Sequence, residues 1–288
     1  MSGDARGACD YDARMALRSS LSALAPLALV ASAALVACGA PAASSSAAAV
    51  AAPHATIAPT TTKPDFRSIL AAPDRSAEDR ALDDGRRPAE LFSFAGVQPG
   101  MRVAEIGAWK GYTAELLARA VAPDGAVYAE DPAEFDKYTR DTWAERAKRE
   151  PFKRIVRVAR PYDDPLPPET AGTLDVVFVV LFYHDMVWLK IDRAKMNAAI
   201  FRALKPGGTL VIADHSARAN DGVTVAKSLH RIEESVVRDE LTKAGFVLTA
   251  ETDLLRHPED ARDWSASDEA PADKRGKSDR FVLRFKRP

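Results

Sequence analysis

The sequence predicts an α/β fold, a doubly wound, mostly parallel sheet of seven strands closed by an antiparallel C-terminal strand. Three observations carry this expectation. Short apolar runs alternate with helical stretches from residue 86 onward, the order that crossover connections between parallel strands produce. Leu174–Phe182 is a nearly unbroken apolar run, as in a strand covered on both faces. The last two strand-like runs, Phe246–Thr252 and Arg280–Phe285, have no helix between them, which favours antiparallel pairing at an edge.

The elements follow in turn. Arg86 to Ala95 reads as a short helix with Pro88 in its first turn. Gln98-Pro99-Gly100 turns the chain into a first strand, Met101–Ile106, followed by a glycine-framed turn and a helix over about 111–120. Ala126–Glu130 is the second strand, Ala133–Arg149 a charged helix, and Arg154–Val158 the third strand. After the fourth strand come a helix over about 192–204, closed by Lys205-Pro206-Gly207-Gly208, and a fifth strand, Thr209–Ala213. Val225, Leu229, Ile232, Val236 and Leu241 recur at helical spacing and predict one long amphipathic helix. The charged loop 257–279 is expected to be mobile, with the character of a lid.

The first part of the chain differs in kind. Arg14 and Arg18 precede an apolar run from Leu21 to Val36 that ends Leu35-Val36-Ala37-Cys38, the layout of a secretory signal. The ending resembles the lipobox of bacterial lipoproteins, which implies that Cys38 becomes a lipid-bearing N-terminus. Residues 1–38 are thus expected to be a leader, with the start of translation at Met1 or at Met15, the latter favoured by Asp4, Asp10 and Asp12 upstream, and 39–64 a disordered Ala/Ser/Thr/Pro tether. Residues 65–288 form the domain. The expected location is the periplasmic side of the cell envelope, anchored to the membrane by lipid, with the cytoplasm as the alternative. Cys9 and Cys38 are the two cysteines, so the domain has no disulfide and no cysteine metal site. A net charge of −1 over 288 residues, with the basic residues of 140–154 interleaved among acids, argues against a nucleic-acid partner.

Val103 to Thr113 is the segment that carries chemistry. Glycines where a strand turns into a helix admit unusual backbone angles and close approach of a ligand. The turn has Gly107 and Gly111, yet Trp109 lies between them. A left-handed backbone there costs a non-glycine residue roughly 1–3 kcal/mol, and an indole takes up ligand space. Two strand ends add a second constellation, Tyr183-His184-Asp185 after the fourth strand and Asp214-His215-Ser216 after the fifth. Neighbouring strand ends of a doubly wound sheet face one crevice, and histidine is the natural general base near neutral pH.

Glu105-x-Gly107, Asp175 at the start of the fourth strand, and Leu204-Lys205-Pro206-Gly207-Gly208 before the fifth resemble the class I S-adenosylmethionine-dependent methyltransferases, with their Rossmann-like fold. The resemblance spans about 86–288. It extends to a group of predicted methyltransferases through Leu229-His230-Arg231-Ile232-Glu233-Glu234-Ser235, Asp253-Leu254-Leu255-Arg256 and Asp279-Arg280-Phe281-Val282-Leu283. It implies S-adenosylmethionine as cofactor, held by Glu105, Gly107, Ala108 and Gly111. Asp131, or else Glu130, would accept the ribose hydroxyls, and Asp163 or Asp164 would meet the adenine amino group. His184, His215 and Asp185 are the catalytic candidates, and Tyr183, Asp214 and His230 the lining of a pocket for a small-molecule acceptor. Two alternatives stand beside this. One is a ligand-binding protein on the same fold without methyl transfer, motivated by Trp109 and the export signal. The other is a metal-assisted hydrolase using His184, Asp185, Asp214 and His215, although no metal is assigned.

Overall fold

The computed structural model describes residues 63–288. The expected leader, tether and Cys38 lie outside them, and no described helix is long and apolar enough to cross a membrane. Seven strands form one sheet in the order β3-β2-β1-β4-β5-β7-β6. They are β1 (Arg102–Ile106), β2 (Ala126–Glu130), β3 (Ile155–Val158), β4 (Leu174–Val180), β5 (Leu204–His215), β6 (Val247–Thr252) and β7 (Arg280–Lys286). The first five are parallel, and β7 runs antiparallel between β5 and β6. The order reverses between β1 and β4, so the carboxyl ends of these strands open a crevice.

β4 shows why the centre holds. Val176 and Phe178 point to one face and Val177 and Val179 to the other, and all four are buried. On the first face lie α3 (Pro88–Ala95), through Leu91, Phe92 and Ala95, and α4 (Tyr112–Ala120), through Leu116 and Leu117. Pro88 opens α3 where its missing N–H costs nothing. After the one-turn helix α6 (Asp185–Trp188), α7 (Arg193–Ala203) buries Met196, Ile200 and Ala203, and the Asp192 carboxylate caps its start by accepting from the Lys195 amide at 3.0 Å.

Several expectations are corrected. Two helices that the pattern did not announce, α1 (Phe66–Ala71) and α2 (Ala77–Arg86), precede α3. The charged helix is shorter, a 3₁₀ turn at Ala133–Phe135 running into α5 (Asp136–Arg146). β4 stops at Val180, because Leu181 turns left-handed at φ 56°. Lys205–Gly208 belongs to β5, whose register shifts beside Leu174. The long amphipathic helix is two helices, α8 (Ala226–Leu229) and α9 (Glu234–Lys243). His230 breaks them apart with φ 50°, and Ile232 bridges to Ser216 instead of continuing the turn. Val237, rather than Val236, therefore faces the core. The segment expected as a lid is tied down. Asp260 pairs with the buried Arg231 at 2.9 Å, and Asp279 with Arg262 at 2.7 Å and Arg256 at 3.2 Å.

Candidate active site

The first half of the site is the turn after β1. The Gly107 and Ala108 amides both donate to the Glu130 carbonyl at 3.0 Å, so the turn is stitched to the end of β2. Gly107 has φ 74° and Gly111 φ 79°, angles that need glycine. Trp109 adopts φ 47° between them and accepts the associated strain. Its indole leans onto Phe135 and Tyr138, with ring centroids 6.1 and 6.2 Å away. The turn is held from behind by α5. Trp143 Nε1 donates to the Trp109 carbonyl and Arg146 Nε to the Lys110 carbonyl, both at 2.6 Å. Arg146 is anchored in turn by Asp79 and Glu115, each at 2.6 Å.

Three carboxyls sit behind this turn, all buried: Glu105, Glu130 and Asp131. Burial pushes Glu105 up to about 8. Burial, with the Asp131 charge beside it, raises Glu130 well above the carboxylate range. Burial lifts Asp131 to about 6 against the pull of the Trp109 amide and Arg157. Both Glu130 oxygens, Glu105 Oε2 and Asp131 Oδ2 have no hydrogen-bond partner among the described residues. Tyr162 donates to the other Asp131 oxygen at 3.2 Å. Buried acceptors left in this state are costly, and a ligand carrying hydroxyl or ammonium donors removes that cost.

The face of Gly107 is less open than the resemblance implies. A Cβ there would lie 2.1 Å from Phe182 Cδ1, so the Phe182 ring rests directly on the glycine. Phe182, Tyr162, Phe135 and Trp109 form a continuous aromatic row, at centroid spacings of 5.0, 5.7 and 6.1 Å. Asp164 is engaged by Arg160 and, at 3.7 Å, by Arg202, whereas Asp163 is half-buried in the same loop.

The second half lies where β4 and β5 end. His184 is clamped, its Nδ1 2.7 Å from Asp214 Oδ1 and its Nε2 3.1 Å from Asp185 Oδ1. Asp214 also accepts the backbone amides of His184, at 2.8 Å, and His215, at 2.7 Å. Burial alone would lower the His184 pKa, but the two carboxylates outweigh it and raise it to about 10. The His184 charge in turn holds Asp185 below the carboxylate range despite burial. His215 is the opposite case. Burial, then the charges of His184 and Arg280, keep it well below the usual histidine value and hence neutral. Its Nδ1 lies 2.7 Å from Ser278 Oγ. His230 reaches the same cluster from the break between α8 and α9, with Nδ1 3.4 Å from Asp185 Oδ1.

Tyr183 is corrected from pocket lining to core. It is fully buried, donating to Glu240 at 2.8 Å and accepting from Asn197 at 2.8 Å, and so ties α7 to α9. Sequence reasoning missed Trp143, Arg146, Tyr162 and Ser278. The one available signal was a lone tryptophan in a strongly charged helix.

Residues 104–212 match the family described as "Methyltransferase domain". No curated protein matches the chain. Among solved structures, the chain is similar to an S-adenosylmethionine-dependent methyltransferase from Aquifex aeolicus. The two share 19% identity at a TM-score of 0.53, covering 78% of this chain and 99% of the other. It is also similar to the cyclase SpnF, with 16% identity and a TM-score of 0.51, covering 71% and 80%. The described fold is therefore the Rossmann-like methyltransferase fold, and residues 104–212 match the methyltransferase domain within it.

Proposed function

We propose that this protein is an S-adenosylmethionine-dependent methyltransferase acting on a small-molecule acceptor. The observation that carries the proposal is the set of unpartnered, buried carboxyl oxygens on Glu105, Glu130 and Asp131, gathered around a turn with two left-handed glycines. These residues fit the cofactor. Glu130 and Asp131 would accept from a ribose diol, Glu105 would lie beneath the turn, and Gly107, Ala108 and Gly111 would border the cofactor once the Phe182 ring moves off Gly107. When bound, the cofactor supplies a methyl group that its sulfonium already activates. That methyl would pass to an oxygen or nitrogen of the acceptor, with the electron pair of its bond to sulfur left on the cofactor. His215, neutral and buried at the end of β5, would be the group to take the acceptor's proton. His184 is already protonated between two carboxylates and serves to position. Proximity supplies much of the remaining acceleration, because the methyl donor is already reactive.

Calorimetry of the full chain with S-adenosylhomocysteine tests this. Saturable 1:1 binding that Glu130→Gln weakens supports it, and no heat at millimolar ligand overturns it. A second reading, a binding protein on the same fold, is favoured by the Phe182 ring on Gly107 and by Trp109. If that reading holds, Trp109→Gly leaves the chain unable to bind the cofactor; if the cradle is merely narrowed, the same change strengthens binding. Export and lipid attachment at Cys38 belong to the proposal as well. Palmitate labelling that disappears in Cys38→Ala supports them, and labelling that persists in that variant or is absent from the parent overturns them.

A further inference from the structure

His184, Asp185 and His230 come together although 45 residues separate the last two in sequence numbering. One ligand atom from each lies within 4.8 Å of the others. Two imidazole nitrogens converge on a single carboxylate oxygen, His184 Nε2 at 3.1 Å and His230 Nδ1 at 3.4 Å from Asp185 Oδ1. Transition ions bind nitrogen and oxygen at about 2.0–2.2 Å, which puts neighbouring ligand atoms about 2.8–3.6 Å apart at octahedral or tetrahedral angles. The two nitrogen–oxygen spacings fall in that range, and the two nitrogens lie within 4.8 Å of each other.

The groups behind the three side chains agree with that reading. The Asp214 carboxylate is fully buried and accepts from His184 Nδ1 at 2.7 Å. With Nδ1–H held there, an entering ion displaces the Nε2 proton to solvent, and the lone pair so freed points at the cluster, the carboxylate–histidine–metal arrangement. The Trp188 indole donates to Asp185 Oδ1 at 2.8 Å and orients its carboxylate. His230 holds a left-handed backbone, φ 50°, which is sparsely populated for a non-glycine residue and persists where function requires it. Without that break the amphipathic helix would continue. With it, the imidazole is delivered to Asp185 from a half-exposed position that gives an ion a route in.

We propose that His184, Asp185 and His230 bind a divalent transition ion of the zinc, cobalt or manganese type, with Asp214 orienting His184. Three protein ligands leave a coordination position for water or for a hydroxyl or carboxylate oxygen of a substrate. The site differs from the hydrolase set read from sequence: Asp214 stands behind the ligands, and His230 takes the place of His215. It does not depend on methyl transfer, and its test reads metal alone.

The full chain, purified without a polyhistidine tag and stripped by chelator, is titrated with zinc(II) by calorimetry and with cobalt(II) by its visible d–d absorption. One ion per chain is expected, with a rise in melting temperature on adding zinc(II). Asp214→Asn should weaken binding about 10–100-fold, and Asp185→Asn and His230→Asn should each weaken it more. Asparagine tolerates the left-handed backbone at 230, so that variant should melt within a few degrees of the metal-free parent. His257→Ala, outside the cluster, should bind as the parent does. No saturable binding by the parent, or binding that survives both Asp185→Asn and His230→Asn, overturns the proposal.

Discussion

Trp143 donates its indole N–H to the carbonyl of Trp109 at 2.6 Å, and the far edge of the same ring, Cη2, would lie 2.7 Å from a Cβ at Gly111. One side chain of α5 thus fixes both ends of the turn that follows β1. Trp143→Phe removes the donor and shortens the ring. It should destabilise the domain by about 1–3 kcal/mol, since the part-buried carbonyl loses its partner, and should weaken S-adenosylhomocysteine binding. Urea unfolding and calorimetry on the same preparation read the two effects.

The Phe182 ring covers the face of Gly107 that the proposed cofactor would need. Phe182→Ala should tighten S-adenosylhomocysteine binding by about tenfold, equivalent to about 1.4 kcal/mol. Gly107→Ala should do the reverse and also destabilise, because the new methyl meets the ring and the left-handed angle costs about 1–3 kcal/mol. Dissociation constants for the two variants should therefore move in opposite directions.

Glu105 gives a pH dependence of stability. Its ordinary pKa is 4.5 and burial raises it to about 8 in the folded chain. Between those values the folded state keeps a proton that the unfolded state has released, so unfolding is favoured as pH rises. The contribution is fully present below about 4.5 and gone above about 8. Glu105→Gln should flatten this slope, narrowing the difference between urea midpoints at pH 5 and pH 8.5. An equal slope in both proteins would show that Glu105 ionises freely.

The Tyr183 hydroxyl is used twice, by Glu240 and by Asn197. Tyr183→Phe should cost about 1–3 kcal/mol of stability from the stranded partners, with ligand affinity unchanged. A loss of affinity at unchanged stability would return Tyr183 to the pocket.

Arg231 and Asp260 form an ion pair in which both side chains are almost completely buried. Asp260→Ala leaves the guanidinium uncompensated and should cost about 3–5 kcal/mol. Limited proteolysis should then cut within 257–279 before the rest of the domain.

β1, β2 and β4 were legible as local apolar runs that follow a glycine, and β7 was read to within a residue of its observed end. The glycine turn after β1 was legible in the same local way, since Gly107 and Gly111 both hold left-handed angles. The break at His230 was not, because the spacing of Leu229 and Ile232 is compatible with a continuous helix, and only the bridge from Ile232 to Ser216 overrides it. Tyr183 was misread because its partners, Asn197 and Glu240, lie on two different helices. The clamp of Trp143 and Arg146 on the turn joins groups 34 and 36 residues apart, which no local pattern encodes.

The position of β7 in the sheet has a consequence for assembly. β6 precedes β7 along the chain, yet it touches the sheet only through β7. Its hydrogen-bonding edge has nowhere to dock until Arg280–Lys286 has inserted beside β5, carrying Phe281, Leu283 and Phe285 into the interior. Long-range pairings of this kind form late and slowly. In a folding experiment followed by hydrogen exchange, amides of β1 and β4 should gain protection first, and those of β6 and β7 should gain it together in the last phase.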